Sequence, residues 1–248
     1  MLSDNISKEF NDKGVVHLQN IMSDHEIKLL KEFTFQNLKT NNDKSFFLTS
    51  KSNDIIKNFY NDNPTIYNKI REIILELSKK LNLKDYNTRE IYSVLRVLKN
   101  ERIRKESYNF HFDAHIITLL VPIIIPNREN SDNGHLLISP NLRNKTNSIF
   151  KNILQKFFYQ SFLKMFKRSK ILSKILKLNK IILKPGSLLL FNGFRSLHGN
   201  LEINKSDTRA TLLIHFYDQF QNSKLVKLNR EMRIKKEKQI IKENSQNG

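Results

Sequence analysis

The run Ile116-Ile117-Thr118-Leu119-Leu120-Val121-Pro122-Ile123-Ile124-Ile125 carries no charged residue in ten positions and is dominated by β-branched side chains. Both of its faces are apolar, so as a strand it must be covered on both sides, which places it inside a sheet that is packed above and below. Pro122 withholds a backbone donor and divides the run into a strand pair, Ile116 to Val121 and Ile123 to Ile125. Three other stretches read the same way. Ile91 to Leu98 alternates; Ile181 to Phe191 forms two strands about the turn Pro185-Gly186; Arg209-Ala210-Thr211-Leu212-Leu213-Ile214-His215-Phe216 alternates again. A chain written like this commits its core to β-sheet.

Helices accompany the strands. One is expected near residues 3 to 12, followed by a strand at 14 to 20. Ser23 and Glu26 have the spacing of a capping box, in which each side chain satisfies the other's free backbone donor, and so mark a second helix start. Asn63-Pro64 opens another, where Ile66, Ile70, Ile73, Ile74, Leu77 and Leu81 make one apolar stripe. Lys99 to Lys105 reads as a charged turn. With 248 residues, 39% hydrophobic content and 17 Phe, the chain can fill one domain with a sizeable core, and residues 1–248 are read as that domain. The absence of Cys excludes disulfides, thiolate metal sites and a cysteine nucleophile.

The polar residues on these strands carry the chemistry. Tyr108-Asn109-Phe110-His111-Phe112-Asp113-Ala114-His115 sits among β-type residues; 84 residues separate Asp113 from His198, and ten separate His198 from Arg209. In a strand His111 and Asp113 project from one face about 7 Å apart, near enough for both to reach one ion. A third ligand then has to come from elsewhere, and the strand Phe194 to His198 delivers one. Two His and one Asp occupying three of six positions leave adjacent positions open, the donor set of a mononuclear Fe(II) site. Arg209 and Thr211 share a strand face, where a guanidinium fork and a hydroxyl suit a carboxylate. His111 also has a plainer reading, a half-buried strand histidine. His115 shares its face and is either a substrate contact or a rival third ligand; three same-face ligands on one straight strand would spread about 14 Å, which favours His198. His215 either lines the carboxylate pocket or fills core. Tyr92 and Arg96 are further candidates for the pocket wall, and Arg195 and Arg96 are alternative cations for the carboxylate.

Over residues 10 to 217 this order of features resembles the Fe(II)/2-oxoglutarate-dependent dioxygenases, with the phytanoyl-CoA hydroxylase-like branch nearest. The entry is similar too: Phe10, Gly14-Val15-Val16-His17-Leu18, then Ser23-Asp24-His25-Glu26 opening a helix. The resemblance implies a double-stranded β-helix, a jelly roll with helices outside it. It implies Fe(II) on His111, Asp113 and His198, with Arg209 and Thr211 on the distal carboxylate of 2-oxoglutarate. The implied activity uses O2 to convert 2-oxoglutarate to succinate while hydroxylating a substrate. Pro140-Asn141 departs from the Pro-Gly-Ser-His often seen in that branch, and a long basic segment interrupts the core.

That segment is the second informative feature. The formal charge is +19, and residues 133 to 201 hold 13 Lys or Arg with no Asp or Glu. Within an insertion at 143–180, Ser148 to Leu178 reads as basic amphipathic helix. Phe150, Ile153, Leu154, Phe157, Phe158, Phe162, Met165, Phe166, Leu172 and Leu176 share a side, opposite Lys156, Lys167, Lys170, Lys174 and Lys177. Either the apolar side packs on the barrel and the lysines are solvated, or the helix lies on an anionic membrane. Nucleic acid is not expected, because Trp is absent and no known nucleic-acid module is present. Residues 223–248 read as a charged C-terminal helix with a frayed end.

Met1-Leu2-Ser3-Asp4-Asn5 lacks the order of a secretory signal and no apolar run is long enough to span a bilayer, so the expected location is cytoplasmic, or peripheral at an inner membrane surface. The expected substrate is anionic, either a small molecule or lipid-linked, to suit the basic surface. The rival to an enzyme is a binding module in which the basic insertion engages membrane or nucleic acid and the barrel only supports it.

Overall fold

The computed structural model describes residues 4–99, 107–129, 131–165 and 174–246. Helix α1 (Asp4–Lys13) leads into β1 (Val15–Leu18), then α2 (Asp24–Thr40), β2 (Phe46–Thr49), α3 (Ile55–Asp62) and α4 (Pro64–Lys80). A single 3-10 turn (Tyr86–Thr88) precedes β3 (Tyr92–Leu98), β4 (His115–Ile124) and β5 (Leu136–Ser139). After α5 (Ile149–Met165) come β6 (Asn179–Ile181), β7 (Leu188–Asn192), β8 (Leu197–Asn200), β9 (Arg209–Asp218) and α6 (Lys224–Gln246).

The strands form two antiparallel sheets. The larger has the order β1-β7-β4-β9-β3-β2 and the smaller β6-β5-β8. The apolar run becomes β4, flanked in the sheet by β7 and β9 and buried at nearly every position, as its composition requires. One detail differs: the expected pair is a single strand that continues through Pro122, its register against β9 shifting between Pro122 and Ile124. A bulge there absorbs the missing donor without ending the strand.

Alternation along these strands divides two environments. Ile117, Leu119, Val121, Ala210, Leu212, Ile214 and Phe216 face the helices and join Leu30, Ile66, Ile70, Ile74 and Leu77 in the main core. The stripe expected on α4 is therefore the surface that covers the sheet. The capping box at Ser23 forms, and Glu26 also takes an ion pair from Lys69 at 2.6 Å, which ties the start of α2 to α4. On the opposite face Leu120, Leu189, Phe191 and Leu213 meet Leu136, Ile138 and Leu183 of the smaller sheet's side. Thr118, Arg209, Thr211 and His215 share that inward face with them.

The inserted segment departs from expectation at its end. It ends before Asn179, because β6 pairs with β5 and belongs to the smaller sheet. On α5 the apolar side turns outward: Phe150, Ile153, Leu154, Phe157 and Phe158 are exposed, while Asn152 is buried and Tyr159 packs on Phe112. Residues 166–173, with Phe166, Lys167, Lys170 and Leu172, lie outside the described residues, as does nearly all of the expected turn at 99 to 105. The C-terminal helix forms as α6 and anchors through buried Ile240.

Candidate metal centre

His111 and Asp113 do not lie in a regular strand. The segment 107–113 runs along the edge of β8, joined by isolated bridges from Ser107 to Asn200 and from His111 to His198. The alternation expected of a strand nevertheless survives. Phe110 and Phe112 turn to one side, where they pack with Leu197, and His111 and Asp113 turn to the other. The bridge makes His111 and His198 direct partners, with His111 N donating to His198 O at 2.9 Å and His198 N to His111 O at 3.1 Å. Asp113 N donates to Gly193 O at 2.9 Å. Three backbone bonds thus place all three side chains on one spot.

Among the described residues, His111, Asp113 and His198 are the group able to hold an ion, with one donor atom from each inside 4.8 Å. Asp113 Oδ1 lies 3.8 Å from His111 Nε2, and Oδ2 lies 3.6 Å from His198 Nε2. Donors about 2.1 Å from a common ion can be at most about 4.2 Å apart, and both spacings meet that limit. Each imidazole donates its other nitrogen to a backbone carbonyl, His111 Nδ1 to Asn109 O at 2.9 Å and His198 Nδ1 to Ser196 O at 3.0 Å. This sets a proton on each Nδ1 and turns each Nε2 toward the carboxylate, the ring orientation that metal ligation through Nε2 requires.

For His111 and Asp113 the surroundings set the charge state. Burial, then the neighbouring His198, bring His111 down to about 3, so the ring is neutral. For Asp113 burial alone would raise the value, but His198, His215, His111 and a hydrogen bond from Thr118 together hold it well below the usual carboxylate range. Thr118 Oγ1 donates to Asp113 Oδ2 at 2.6 Å and lies 3.2 Å from His215 Nδ1. Having given its proton to Asp113, the hydroxyl can only accept from His215. Gly193 permits this closeness, since a Cβ there would collide with Asp113 and Thr118.

Arg209 and Thr211 stand further along the inward face of β9. Arg209 is 1% exposed. Its Nε donates to Gly134 O at 2.7 Å and Nη2 to Asn200 Oδ1 at 2.9 Å, while Nη1 and Thr211 Oγ1 are buried with no hydrogen-bond partner among the described residues. Burial, and after it Arg96, lower the guanidinium to about 9. A buried cation and hydroxyl left open side by side fit a bound carboxylate, because an unmet donor at such a site is otherwise a full desolvation penalty. Gly134 takes positive φ and leaves no room for a Cβ against the Arg209 side chain.

The remaining expected residues fall around this centre. His115 is not in the donor set; it stacks on Tyr92 and on His215, at centroid distances of 5.9 and 5.1 Å, and lines a cleft at the protein surface. His215 joins the centre, 3.7 Å from Asp113 Oδ2. Arg96 pairs in register with Thr211, beside Arg209. Arg195 is elsewhere, donating to Arg143 O at 2.9 Å. Gly134 is legible as the head of a glycine-led strand, Gly134 to Ser139, though not as a partner of Arg209; Thr118, Gly193 and Asn200 are not, and of these only Thr118 has a visible signal, as the single hydroxyl in an apolar run. Arg143 was missed as well. Buried between the rings of Phe112 and Phe194, at 4.3 and 4.2 Å, and donating to Phe194 O at 2.6 Å, it braces the backbone on both sides of Asp113.

No protein-family model matches the chain, and no curated protein matches it in sequence. Solved structures do match. A prolyl 4-hydroxylase from Phytophthora capsici aligns with TM-score 0.57 and 14% identity over 90% of this chain and 64% of its own, so this chain spans a little under two thirds of that protein. EvdO2 from Micromonospora carbonacea var. aurantiaca, complexed with 2-oxoglutarate, aligns with TM-score 0.52 and 12% identity over 88% of this chain and 92% of its own. The non-heme alpha ketoglutarate dependent carbocyclase SnoK from nogalamycin biosynthesis aligns with TM-score 0.50 and 12% identity, over 88% and 84%. Likeness at this identity shows the fold: two antiparallel sheets with flanking helices, a jelly roll.

Proposed function

We propose that this protein is an Fe(II)- and 2-oxoglutarate-dependent oxygenase. The observation that carries the reading is the pairing of two features on one barrel interior: three convergent donors with their tautomers set, and a buried Arg209–Thr211 pair whose Nη1 and Oγ1 face no protein partner among the described residues. The names of the matched structures, a prolyl 4-hydroxylase, a 2-oxoglutarate complex and an alpha ketoglutarate dependent carbocyclase, support the same chemistry.

In this reading His111, Asp113 and His198 hold Fe(II), and Arg209 with Thr211 binds the distal carboxylate of 2-oxoglutarate. When bound, the iron with 2-oxoglutarate and O2 supplies oxidative decarboxylation to succinate coupled to oxidation of a substrate C–H bond. The chain's own contribution is orientation. Asn109 and Ser196 carbonyls aim the imidazoles, Thr118 pins one carboxylate oxygen of Asp113, and Gly134 with Asn200 holds the Arg209 fork so that one nitrogen remains free for the ligand. Phe191, packed edge-on to His198 at 4.8 Å, keeps water from the barrel side.

The finer part of the proposal is a hydroxylase whose substrate is anionic, as a small molecule or attached to lipid, in keeping with the acid-free basic segment and with the resemblance to the phytanoyl-CoA hydroxylase-like branch. Its entrance is the cleft beside Tyr92 and His115, which carries Lys51 and Arg89 along with Asp85 and Glu90. Anaerobic addition of Fe(II) and 2-oxoglutarate should give a weak visible charge-transfer band, and aerobic incubation should release succinate. Asp113→Ala should lose both and keep its far-UV circular dichroism, since ligands of an open catalytic site rarely support the fold. A variant that keeps the band, or a wild-type protein that never shows it, refutes the assignment.

A further inference from the structure

We propose that α5 is a docking helix for an anionic lipid surface. Its outward stripe consists of Phe150, Ile153, Leu154, Phe157 and Phe158, with the three phenylalanines 68%, 70% and 66% exposed. Positions 150, 153, 154, 157 and 158 follow the helical period, so these side chains form one continuous band rather than scattered contacts with water. A single exposed apolar residue is ordinary; five large ones in a row mark a surface that something else covers.

The charge around the band indicates which surface. Lys151 in the first turn of α5 and Lys145 just before the helix are exposed, and α5 lies in the segment 133 to 201 that holds 13 Lys or Arg and no acid. A second copy of the chain would bring two such segments face to face, with like charges opposed. An anionic bilayer instead takes the aromatic band into the headgroup boundary and gains from each nearby lysine. Among the described residues no helix is long and apolar enough to cross a membrane, so the contact is one of surface docking.

The inner face of α5 gives the docking a consequence. Tyr159 meets Phe112 edge-on at 5.3 Å, and Phe112 lies between His111 and Asp113. The helix therefore separates the bilayer from the metal-binding segment by about its own diameter, ~10–12 Å. Docking would hold the back of that segment, the side away from its donor atoms, toward the membrane. The surface contact itself does not rest on the oxygenase reading and is measured without metal.

The test uses the full chain with vesicles of phosphatidylcholine alone and of phosphatidylcholine with phosphatidylserine at about three to one. Co-sedimentation with the anionic vesicles only is expected, weakening as salt rises because screening shortens the reach of the lysines. The double substitution Phe157→Ser with Phe158→Ser should weaken binding at least tenfold. The chain has no Trp, so Phe157→Trp supplies a single reporter whose emission should shift to the blue on the anionic vesicles. Three results overturn the proposal: wild-type protein that ignores anionic vesicles at low salt, a serine double variant that binds as well as wild type, or an unshifted tryptophan. A concentration-dependent dimer that the serine variant abolishes would assign the band to a second copy instead.

Discussion

Replacing Arg209 by Lys keeps a cation and removes the fork. In the folded protein Nε and Nη2 are committed to Gly134 O and Asn200 Oδ1, and Nη1 is the nitrogen left for a ligand. A lysine ammonium is one point, so it cannot satisfy both anchors and still reach a carboxylate. Loss of one charge-assisted hydrogen bond weakens binding by about 1.5–3 kcal/mol, which is roughly 10- to 150-fold in the dissociation constant of 2-oxoglutarate. A second effect follows from burial. The surroundings that lower the guanidinium to about 9 would bring a lysine, about 10.4 in water, toward neutral pH. Its charge is present below that value and lost above it, so affinity in the variant should fall further as pH rises from about 6 to 8, while the wild-type guanidinium stays charged across the range. Calorimetric titration of 2-oxoglutarate into Mn(II)-loaded protein without O2, at three pH values, reads both effects. Affinity within twofold of wild type at every pH would refute the assignment of Arg209 to the cosubstrate.

Two other residues give independent checks. Gly193→Ala puts a methyl where Asp113 and Thr118 already meet, so metal affinity should drop at least tenfold with secondary structure unchanged; titration with Co(II) measures it, and unaltered affinity would show that the carboxylate tolerates displacement. Glu26 is held below its ordinary range: burial, the largest single influence, opposes its charge, but bonds from Lys69 and Ser23 outweigh it. A depressed folded value stabilises above the unfolded value of about 4.3 and loses that stabilisation as pH falls through the folded one. Glu26→Gln should therefore cost about 1.5–3 kcal/mol at pH 7 by urea unfolding and progressively less below about pH 4.5, and a gap that is constant with pH would contradict the ion pair.

Much of this protein was legible one segment at a time. The apolar run at Ile116 to Ile125, the Ser23–Glu26 capping box and the stripe from Ile66 to Leu77 are local patterns, set by the periods of strand and helix, and each forms where the pattern puts it. The same holds for the alternation that aligns Arg209 with Thr211 and His111 with Asp113, because it needs nothing beyond the geometry of adjacent residues. Polar residue types in that order were enough to suggest which side chains converge.

What the tertiary structure alone decided lies between segments. His111 faces His198 through one bridge on an edge, not through a strand, and no local period records that pairing. Arg209 is aimed by Gly134, 75 positions away, and Asp113 is braced by an arginine from the start of the insertion, through rings that neighbour it on two different segments. The direction of α5 belongs here as well. Its sequence marks an apolar side and a polar side, but which one meets the barrel depends on whether the barrel offers Phe112 to Tyr159 or a groove to the phenylalanines, and that surface exists only after the strands have closed. Periodicity is a property of neighbours in the chain, whereas register and facing are properties of neighbours in space, brought together by the burial of β4 and β9.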